Sequence, residues 1–508
     1  MSNETNRQVI TFGCRLNTVE SEQIKNILDE HDINDVIVVN TCAVTAEAER
    51  QARQRIRKLK FEHPDKRIIV TGCAATTNTH AYEQMPEVDC VILNEHKNDA
   101  QTFANMVTGG ANTNSIDESV RISSGSGSTE SANIMAGANI RTNSNSAINT
   151  NMPSIGRPAP NPLPMYSSKI LPRFEGKSRA FLQIQTGCDN FCTFCVTRIA
   201  RGKSVSFPFS QILKQAQQFV DQGYKEINLT GVNICSYDYD GFTLGRLIDA
   251  LLKALPEDVR MRLSSLDPSE VDESLFDAMH NKRVLPHWHL SLQSGDATVL
   301  ARMQRRHTPE DILRVTERIR VVRPELVLGA DVIAGFPGET QEMFENTCDL
   351  ILQCEIALLH VFPYSDRPGT VANTLPQKIP QKVKVARAQQ LREIGKKISF
   401  SKKKALLGSI SDVFVEKEYE GSVALPCPAV NAKKCIHTPN DCEQLNTADV
   451  CDYSDVVPHS SGAYIGKTEH FFPIIIQGEN VPIGRHIPIK IENVLSDGSL
   501  YGVYSIPK

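Results

Sequence analysis

The chain has 508 residues, of which 40% are apolar and 22% are charged, and its formal net charge is −4. These values are ordinary for a globular protein of about three domains, and they argue against a uniformly basic nucleic-acid binder while allowing local basic patches. No apolar run approaches a membrane span and the first ten residues carry no export or organelle signal, so we expect a cytoplasmic protein without a membrane partner. In that compartment, fourteen cysteines indicate metal or redox chemistry rather than a disulfide framework.

Residues 7–103 alternate short apolar runs with helical patterns, which predicts a doubly wound α/β domain whose parallel sheet is covered on both faces. Cys14, Cys42 and Cys73 each follow the carboxyl end of a predicted strand. Open α/β sheets bind ligands at that edge, so three cysteines distant in sequence can converge there. The predicted strands are Val9–Phe12, Val36–Val39, Arg67–Val70 and Val88–Leu93, and the predicted helices are Thr18–Leu28 and Ala46–Lys60.

Residues 104–170 are dominated by Asn, Ser, Thr and Gly, and no aromatic residue occurs between Phe103 and Tyr166. Such a composition buries too little apolar surface to offset the entropy lost on ordering. The segment is therefore predicted to be a disordered linker between two domains.

Residues 171–400 repeat a strand–helix unit six times, which predicts a partial parallel barrel with its chemistry at the carboxyl face. Cys188, Cys192 and Cys195 follow the first strand with C-x3-C-x2-C spacing. Three thiolates this close can hold one compact metal centre and leave one position open. A structural zinc knuckle is the alternative, but no fourth Cys or His lies nearby. The predicted strands are Ala180–Gln185, Glu226–Thr230, Arg260–Ser264, His289–Leu292, Val327–Ile333 and Ala357–Phe362, and the helices include Gln211–Val220, Leu244–Leu255 and Met343–Gln353.

The cysteine motif of the predicted barrel, with Phe194 directly before Cys195, resembles the signature of radical S-adenosylmethionine (SAM) enzymes. The resemblance implies a (β/α)6 partial barrel and a 4Fe-4S cluster held by the three cysteines, whose fourth iron binds SAM. Polar or glycine-containing turns at the strand ends would line the SAM pocket. The residues expected there are Phe194, Gly231, Asn233, Gln293 and Gly335.

The contexts Gly13-Cys14-Arg15, Asn40-Thr41-Cys42 and Thr71-Gly72-Cys73 resemble the N-terminal domain of methylthiotransferases, where three cysteines hold an auxiliary 4Fe-4S cluster. The resemblance has two departures: the family usually has a proline near Thr197, and Ser204-Val205-Ser206 lacks the arginine that is usual at its centre. A further set of segments resembles the branch of that family that modifies N6-threonylcarbamoyladenosine in tRNA. These segments are Leu229–Asn233, Arg262–Pro268, Leu290–Gly295 and Arg305-Arg306-His307.

The family implies a division of labour between the two cysteine sites. The cluster at Cys188, Cys192 and Cys195 would cleave SAM to a 5′-deoxyadenosyl radical, and the auxiliary cluster would carry the sulfur. A second SAM would supply the methyl group, and C2 of the modified adenosine just 3′ of the anticodon would accept the methylthio group, giving 2-methylthio-N6-threonylcarbamoyladenosine. The implied partners are the tRNA anticodon stem-loop, an electron donor such as flavodoxin or ferredoxin, and a sulfur source.

Residues 401–508 begin with the basic run Lys402–Lys404, which we expect to contact phosphates of the anticodon stem, and continue with strand-like segments. Ser411–Val415, Gly484–Val494 and Gly498–Gly502 resemble a TRAM domain, a small β-barrel that binds RNA in this family. An insertion at about 426–461 interrupts it, and the gaps between its cysteines are wide and irregular, unlike zinc spacings. A third metal site and incidental thiols both remain open for Cys427, Cys435, Cys442 and Cys451.

Three other functions remain alternatives at this point. Within the family, the substrate could be isopentenyladenosine in tRNA or an aspartate of a ribosomal protein, and outside it the protein could be a two-cluster electron carrier or scaffold. The tRNA hypothesis needs phosphate contacts, although a solvated helix face would look the same in the sequence. The candidates are the helix with Arg50, Arg53, Arg55, Arg57 and Lys58 and the turn with Arg302, Arg305 and Arg306.

Overall fold

A computed structural model describes residues 7–107, 120–122, 171, 173–420, 423–424, 456–457 and 462–504. Most of the predicted linker and of the predicted insertion lies outside these residues, together with Cys427, Cys435, Cys442 and Cys451. Among the described residues, no helix is at once long enough and apolar enough to span a bilayer.

The N-terminal domain is a sheet whose first four strands run parallel and follow one another in chain order. Regular structure continues beyond residue 103, because a helix extends to Val107 and a fifth strand lies antiparallel to the fourth. The fourth strand is shorter than predicted, and its Cys90 is buried as expected of a small apolar residue. The strands are Gln8–Thr11, Val36–Thr41, Arg67–Gly72, Cys90–Ile92 and Val120–Ile122, and the helices are Arg15–Glu30, Ala46–Glu62, Cys73–Thr77, Thr79–Glu83 and Ala100–Val107.

Helices cover both faces of this sheet, which confirms the predicted α/β domain. Along the second strand, Val36 and Val38 belong to one apolar cluster while Ile37 and Val39 belong to another. The reason is that successive side chains of a strand point to opposite faces. The first helix packs on one face and the second helix on the other, so the carboxyl edge of the sheet is left for a site.

Six parallel strands in chain order form the central partial barrel, as predicted, and their ends differ from the predicted ones by at most two residues. The strands fall into two sheets that separate at Ser264, where the short strand Ser265–Leu266 begins the second sheet. The six strands are Ala180–Gln183, Glu226–Thr230, Arg260–Leu263, His287–Gln293, Val327–Ala334 and Leu358–Pro363. The helices between and after them are Thr197–Arg201, Phe209–Asp221, Leu244–Ala254, Glu273–Ala278, Ala297–Arg302, Pro309–Val322, Gln341–Gln353 and Gln381–Ala405.

The inward face of this barrel is polar. In the fourth barrel strand, Trp288, Leu290 and Leu292 pack against the surrounding helices, so His287 and His289 lie on the opposite, inward face. A filled parallel barrel carries Val, Ile and Leu at such positions, and the polar lining instead marks a place for chemistry. By the same alternation, the other inward residues include Glu226, Asn228, Arg262, Asp331 and His360.

The C-terminal domain is a closed barrel of five strands around a core that includes Phe472, Ile474 and Leu500. This barrel agrees with the small β-barrel predicted for residues 401–508. Its strands are Ile410–Glu418, Ala463–Thr468, Pro473–Gln477, His486–Val494 and Leu500–Val503.

Buried ion pairs dock the C-terminal barrel onto the central one. The fully buried Glu226 lies 2.6 Å from Nε of Arg179 and 2.9 Å from Nε of Arg262. From the C-terminal side, His486 places Nε2 3.3 Å from Glu226 and Nδ1 3.2 Å from Asp412. The imidazole therefore links a carboxylate of each domain.

Candidate active site

Cys14, Cys42 and Cys73 all lie at the carboxyl edge of the N-terminal sheet, as their sequence positions predicted. Cys14 caps the amino end of the first helix, Cys42 directly follows the second strand, and Cys73 begins a short helix after the third. Helix amino ends favour thiolates because their free N–H groups and dipole stabilise negative charge. Cys42 is buried, whereas Cys14 is exposed, so the group opens toward solvent on the Cys14 side.

The glycine before Cys14 fixes how closely these thiols approach. Gly13 has φ +101°, a conformation that residues with a side chain rarely adopt. A Cβ at this position would lie 2.5 Å from Cβ and 2.7 Å from Sγ of Cys42. Only glycine therefore allows the two cysteine-bearing loops to pack this closely.

Arg201 extends from the central barrel into this N-terminal site. Its Nε lies 3.2 Å from Sγ of Cys73, and its Nη2 donates to Oδ1 of Asn17 at 2.9 Å. The same Asn17 oxygen is 3.7 Å from Sγ of Cys14. The guanidinium also bonds both carboxylate oxygens of Glu20, at 2.6 and 3.1 Å. One fully engaged arginine thus connects two of the three thiols and supplies positive charge to stabilise their deprotonated forms.

A second buried cation completes the network around Glu20. Lys97 is fully buried and lies 2.6 Å from Glu20. It also donates to Asn94, whose amide donates in turn to the backbone oxygen of Ala200 at 2.8 Å. Burial alone would raise the pKa of Glu20, but Arg201 and Lys97 outweigh it and lower the pKa to about 2. The carboxylate is therefore ionised throughout the physiological range.

The loop with Cys188, Cys192 and Cys195 is held by backbone contacts at the carboxyl end of the first barrel strand. The preceding Gly187 has φ +69°, and a Cβ there would lie 1.7 Å from the backbone oxygen of Lys203. The amide of Asn190 points at Sγ of Cys188, 3.4 Å away, and the amide of Thr197 points at Sγ of Cys195 at the same distance. Backbone amides therefore point at two of the three thiols of this loop.

Arg305 places a guanidinium beside the thiols of the central barrel, as Arg201 does beside the thiols of the N-terminal domain. Its Nη1 lies 3.4 Å from Sγ of Cys192, and its Nη2 lies 3.1 Å from the carboxylate of Asp267 and donates to the backbone oxygen of Ser291. Burial would raise the pKa of Asp267, but a hydrogen bond from His307 and the charge of Arg305 outweigh it and hold that pKa below its usual range. Each group of three thiols therefore has one buried guanidinium beside it.

The sequence did not identify Arg201, Asn94 or Asp267 as part of a site. Arg201 is separated from Cys73 by 128 positions, and nothing in the local pattern of either segment predicts that contact. Arg305 stood out only through its resemblance to the tRNA-modifying branch and as a phosphate contact. Its side chain is 6% exposed and directed at Cys192, which makes it a poor phosphate ligand.

The five residues expected in the SAM pocket lie at or near the carboxyl ends of barrel strands. The backbone N–H of Asn233 donates to Oε1 of Gln185. A Cβ at Gly231 would lie 2.9 Å from the same Oε1 atom. Gln293 and Gly335 end neighbouring strands, and both have positive φ. Phe194 packs in an apolar cluster with Phe336 and Tyr364. SAM contact by these residues stays a prediction.

The basic residues proposed for phosphate contact are mostly engaged within the chain. Lys403 of the run Lys402–Lys404 is buried and bonds the backbone oxygen of Gly498, while Lys402 pairs with Glu355. Cations of the helix Ala46–Glu62 form ion pairs at the protein surface. Exposed pairs are weak, so these cations stay accessible to a competing anion. The exposed pairs are Arg50–Glu47, Arg55–Glu62, Arg57–Glu87 and Lys58–Glu62, whereas Arg53 pairs with the largely buried Glu49.

The two groups of thiols fit iron–sulfur clusters by their chemistry and spacing. Burial raises the pKa of Cys42 to about 12 and that of Cys188 to about 11, so without metal these thiols are protonated and metal binding must displace the protons. Four sulfurs around one zinc lie about 3.8 Å apart, given a Zn–S distance near 2.3 Å. Within the described part of the chain, neither cysteine group brings three ligand atoms within 4.8 Å of one another, which suits a larger centre.

Two family descriptions match the chain. Residues 182–351 match the Radical SAM superfamily, and residues 6–93 match the uncharacterized protein family UPF0004. A solved structure with the same fold is the radical SAM methyltransferase TsrM from Kitasatospora setae, at TM-score 0.53 and 13% identity over 72% of this chain and 76% of that one. The fold and the site define a radical SAM enzyme, which uses a 4Fe-4S cluster and SAM.

Similar proteins identify the family of radical SAM enzymes to which the chain belongs. The chain is 41% identical to threonylcarbamoyladenosine tRNA methylthiotransferase MtaB of Rickettsia prowazekii over 78% of this chain and 84% of that protein. It is 29% identical to the MtaB of Bacillus subtilis over 95% of this chain and 92% of the relative. A tRNA-2-methylthio-N(6)-dimethylallyladenosine synthase from Erythrobacter litoralis is 32% identical over 81% and 86%. The chain belongs to the radical SAM methylthiotransferase family, whose members carry a second cluster.

Proposed function

We propose that this protein transfers a methylthio group to C2 of N6-threonylcarbamoyladenosine in tRNA. The main observation in support is that each of two neighbouring domains has three cysteines at the carboxyl ends of its strands. A buried arginine lies beside each group. The choice of base is supported by the 41% identity to the Rickettsia prowazekii enzyme named for that nucleoside, compared with 32% for a relative named for dimethylallyladenosine.

In this proposal Cys14, Cys42 and Cys73 hold the auxiliary cluster, and the cysteines of the barrel loop hold the other. The bound groups supply what no side chain can, namely a hydrogen-abstracting radical from SAM and a sulfur atom for transfer. The chain holds the thiolates in place, and Arg201 and Arg305 offset their negative charge. The exposed Cys14 leaves one side of the auxiliary site accessible to a large substrate.

The polar barrel interior favours a polar nucleobase substituent. His287 is buried there, and neither of its imidazole nitrogens has a hydrogen-bond partner. A threonylcarbamoyl group brings a carboxylate, a hydroxyl and amides that can pair with such groups. An isopentenyl group would leave this imidazole unpaired, and a site built for hydrogen bonds strongly rejects an analogue that lacks them.

The reaction also needs partners outside the chain. We infer that an electron donor such as flavodoxin or ferredoxin reduces the radical SAM cluster, and that a separate sulfur source replenishes the auxiliary one. The tRNA anticodon stem-loop is the inferred macromolecular substrate, and the C-terminal barrel is the inferred RNA-binding domain. Phosphate contacts would make this binding weaken with salt.

The test is a comparison of four substrates with the anaerobically reconstituted enzyme. These are tRNA bearing N6-threonylcarbamoyladenosine, the same tRNA without that group, isopentenylated tRNA and the ribosomal protein. We expect a methylthiolated nucleoside by mass spectrometry from the first alone. Product from isopentenylated tRNA or the ribosomal protein, with none from the first, would assign the protein to another branch of the family.

A further inference from the structure

Apart from the two cysteine sites, three potential metal ligands meet on adjacent strands inside the central barrel. They are His289 on the fourth barrel strand, Asp331 on the fifth and His360 on the sixth. Within the described part of the chain, this is the group in which one ligand atom from each of three residues lies within 4.8 Å of the others. From this geometry we propose that the three residues bind a divalent transition-metal ion of the Zn²⁺ type.

The distances match those between neighbouring ligands of one ion. Nε2 of His289 lies 3.0 Å from Oδ1 of Asp331, and Nδ1 of His360 lies 3.3 Å from the same oxygen. Ligand atoms at about 2.1 Å from one ion lie about 2.9–3.4 Å apart in octahedral or tetrahedral geometry. Both distances to Asp331 therefore suit one ion, and the two histidine nitrogens lie within 4.8 Å of each other.

A hydrogen-bonded His–Asp–His chain is the competing explanation, and His289 argues against it. The residue is 8% exposed, and its Nε2, although 3.0 Å from Oδ1 of Asp331, is not aligned with that oxygen as a hydrogen bond requires. A buried imidazole nitrogen without a partner is costly. A metal ion bound to this nitrogen and to Asp331 would satisfy both atoms.

Gly329 orients the His289 ring toward the site. The two residues are paired in register on neighbouring strands, and a Cβ on Gly329 would lie 2.7 Å from Nδ1 of His289. The imidazole thus rests against bare backbone on its Nδ1 side, which leaves Nε2 facing Asp331. On the other flank His360 is exposed over 63% of its side chain, so an ion has a path to the site.

The composition of the site limits which ions it takes. Two imidazoles and one carboxylate suit zinc, iron, manganese and cobalt ions in the divalent state, whereas calcium and magnesium prefer oxygen ligands alone. Three protein ligands leave at least one coordination position for water or for an oxygen of a bound molecule. The site shares no residue with either cysteine group, and it stands whether or not the proposed methylthiotransfer is correct.

The experiment measures zinc on the full-length protein after both iron–sulfur clusters have been loaded, so that their thiols are not available. The protein is passed through a chelating resin, exposed to Zn²⁺ and analysed for zinc and iron. We expect His360→Ala and Asp331→Asn to bind about one zinc fewer per chain than the wild type, with unchanged iron. His280→Ala, which removes an exposed histidine elsewhere, should bind as much zinc as the wild type.

The extended X-ray absorption fine structure of the bound zinc identifies its ligands by their distances. Nitrogen and oxygen neighbours at about 2.0–2.2 Å that are lost in His360→Ala would support the site, whereas neighbours at about 2.3 Å would be cysteine sulfur. Equal zinc content in the wild type and both variants, or zinc bound only by sulfur, would overturn the proposal. Because His360 is exposed, its substitution should leave the fold intact, and an unchanged melting temperature without zinc verifies this. Iron content and methylthio product report separately on the proposed function.

Discussion

Nε of Arg201 lies 3.2 Å from Sγ of Cys73, although the two residues belong to different domains and are 128 positions apart. Arg201 ends the helix Thr197–Arg201, which begins two residues after Cys195. A single short helix therefore connects the loop of one thiol group to a hydrogen-bond donor of the other. The barrel domain contributes directly to the electrostatics of the N-terminal site.

Replacing Arg201 by Gln should lower the reduction potential of the N-terminal cluster, because a positive charge and a hydrogen bond next to a thiolate favour the more reduced state. An electron-paramagnetic-resonance redox titration measures this. Lys203→Gln removes an exposed cation from the following loop and should leave the potential unchanged. An equal potential in wild type and Arg201→Gln would show that the contact does not tune the centre.

The two cysteine groups should separate in function when each is removed. Cys188, Cys192 and Cys195 changed together to Ala should take away about half of the iron, given four irons per cluster, and abolish SAM cleavage. The matching change of Cys14, Cys42 and Cys73 should retain some SAM cleavage but yield no methylthio product. Iron analysis and 5′-deoxyadenosine chromatography give the readouts. Cys348→Ala, at a buried helix position, serves as the control, and full iron in the first variant would contradict the assignment.

Gly13→Ala should prevent the N-terminal cluster from assembling, because its Cβ would clash with Cys42 at 2.5 Å. Iron content after reconstitution should fall toward that of the variant lacking Cys14, Cys42 and Cys73. Gly241→Ala is the matched control: Gly241 also has positive φ, but nothing lies within 4 Å of its Cβ position. If both variants lose iron equally, general backbone strain rather than the clash is responsible.

Docking of the C-terminal barrel should weaken as the pH rises. Burial lowers the pKa of His486, but contacts with Asp412 and Glu226 outweigh it, so the pKa is raised above its ordinary value of about 6.5. The stabilisation from protonated His486 is therefore complete below about pH 6.5 and is lost as the pH rises through the raised value. The melting temperature of wild type should exceed that of His486→Gln most at pH 6 and less at pH 9. A difference that is constant over this range would exclude the link to protonation.

The helices and strands were predictable from the sequence because hydrophobic periodicity and turn-forming residues are local signals. The six barrel strands and the alternation of strands and helices around Cys14, Cys42 and Cys73 follow from short apolar runs between amphipathic stretches. The closeness of the two thiol groups was not predictable, since it depends on Arg201, Asn94 and Glu20, whose partners lie in other domains. The glycines before Cys14 and Cys188 were visible, but their positive φ appears only in the folded chain.

For the basic segments, the sequence predicted contacts that the structure does not support. Their positive charge indicated phosphate contacts for Lys402–Lys404 and Arg305, yet the side chains of Lys403 and Arg305 are buried and bonded within the chain. A sequence gives the sign of a side chain but not its direction. For the same reason the sequence did not show that His289, Asp331 and His360 lie together. They are spread over 72 residues and meet only because their strands are neighbours.

The buried charges around Glu20 mean that the N-terminal domain is not a detachable module. If residues 7–107 were expressed alone, Glu20 would keep Lys97 but lose Arg201, and Cys73 would lose its guanidinium donor. Removing one partner from a buried ion pair typically costs about 3–5 kcal/mol, a large part of the stability of a small domain. Chimeras between relatives should therefore exchange the helix Thr197–Arg201 together with the N-terminal sheet, because the functional boundary lies inside the barrel rather than at the linker.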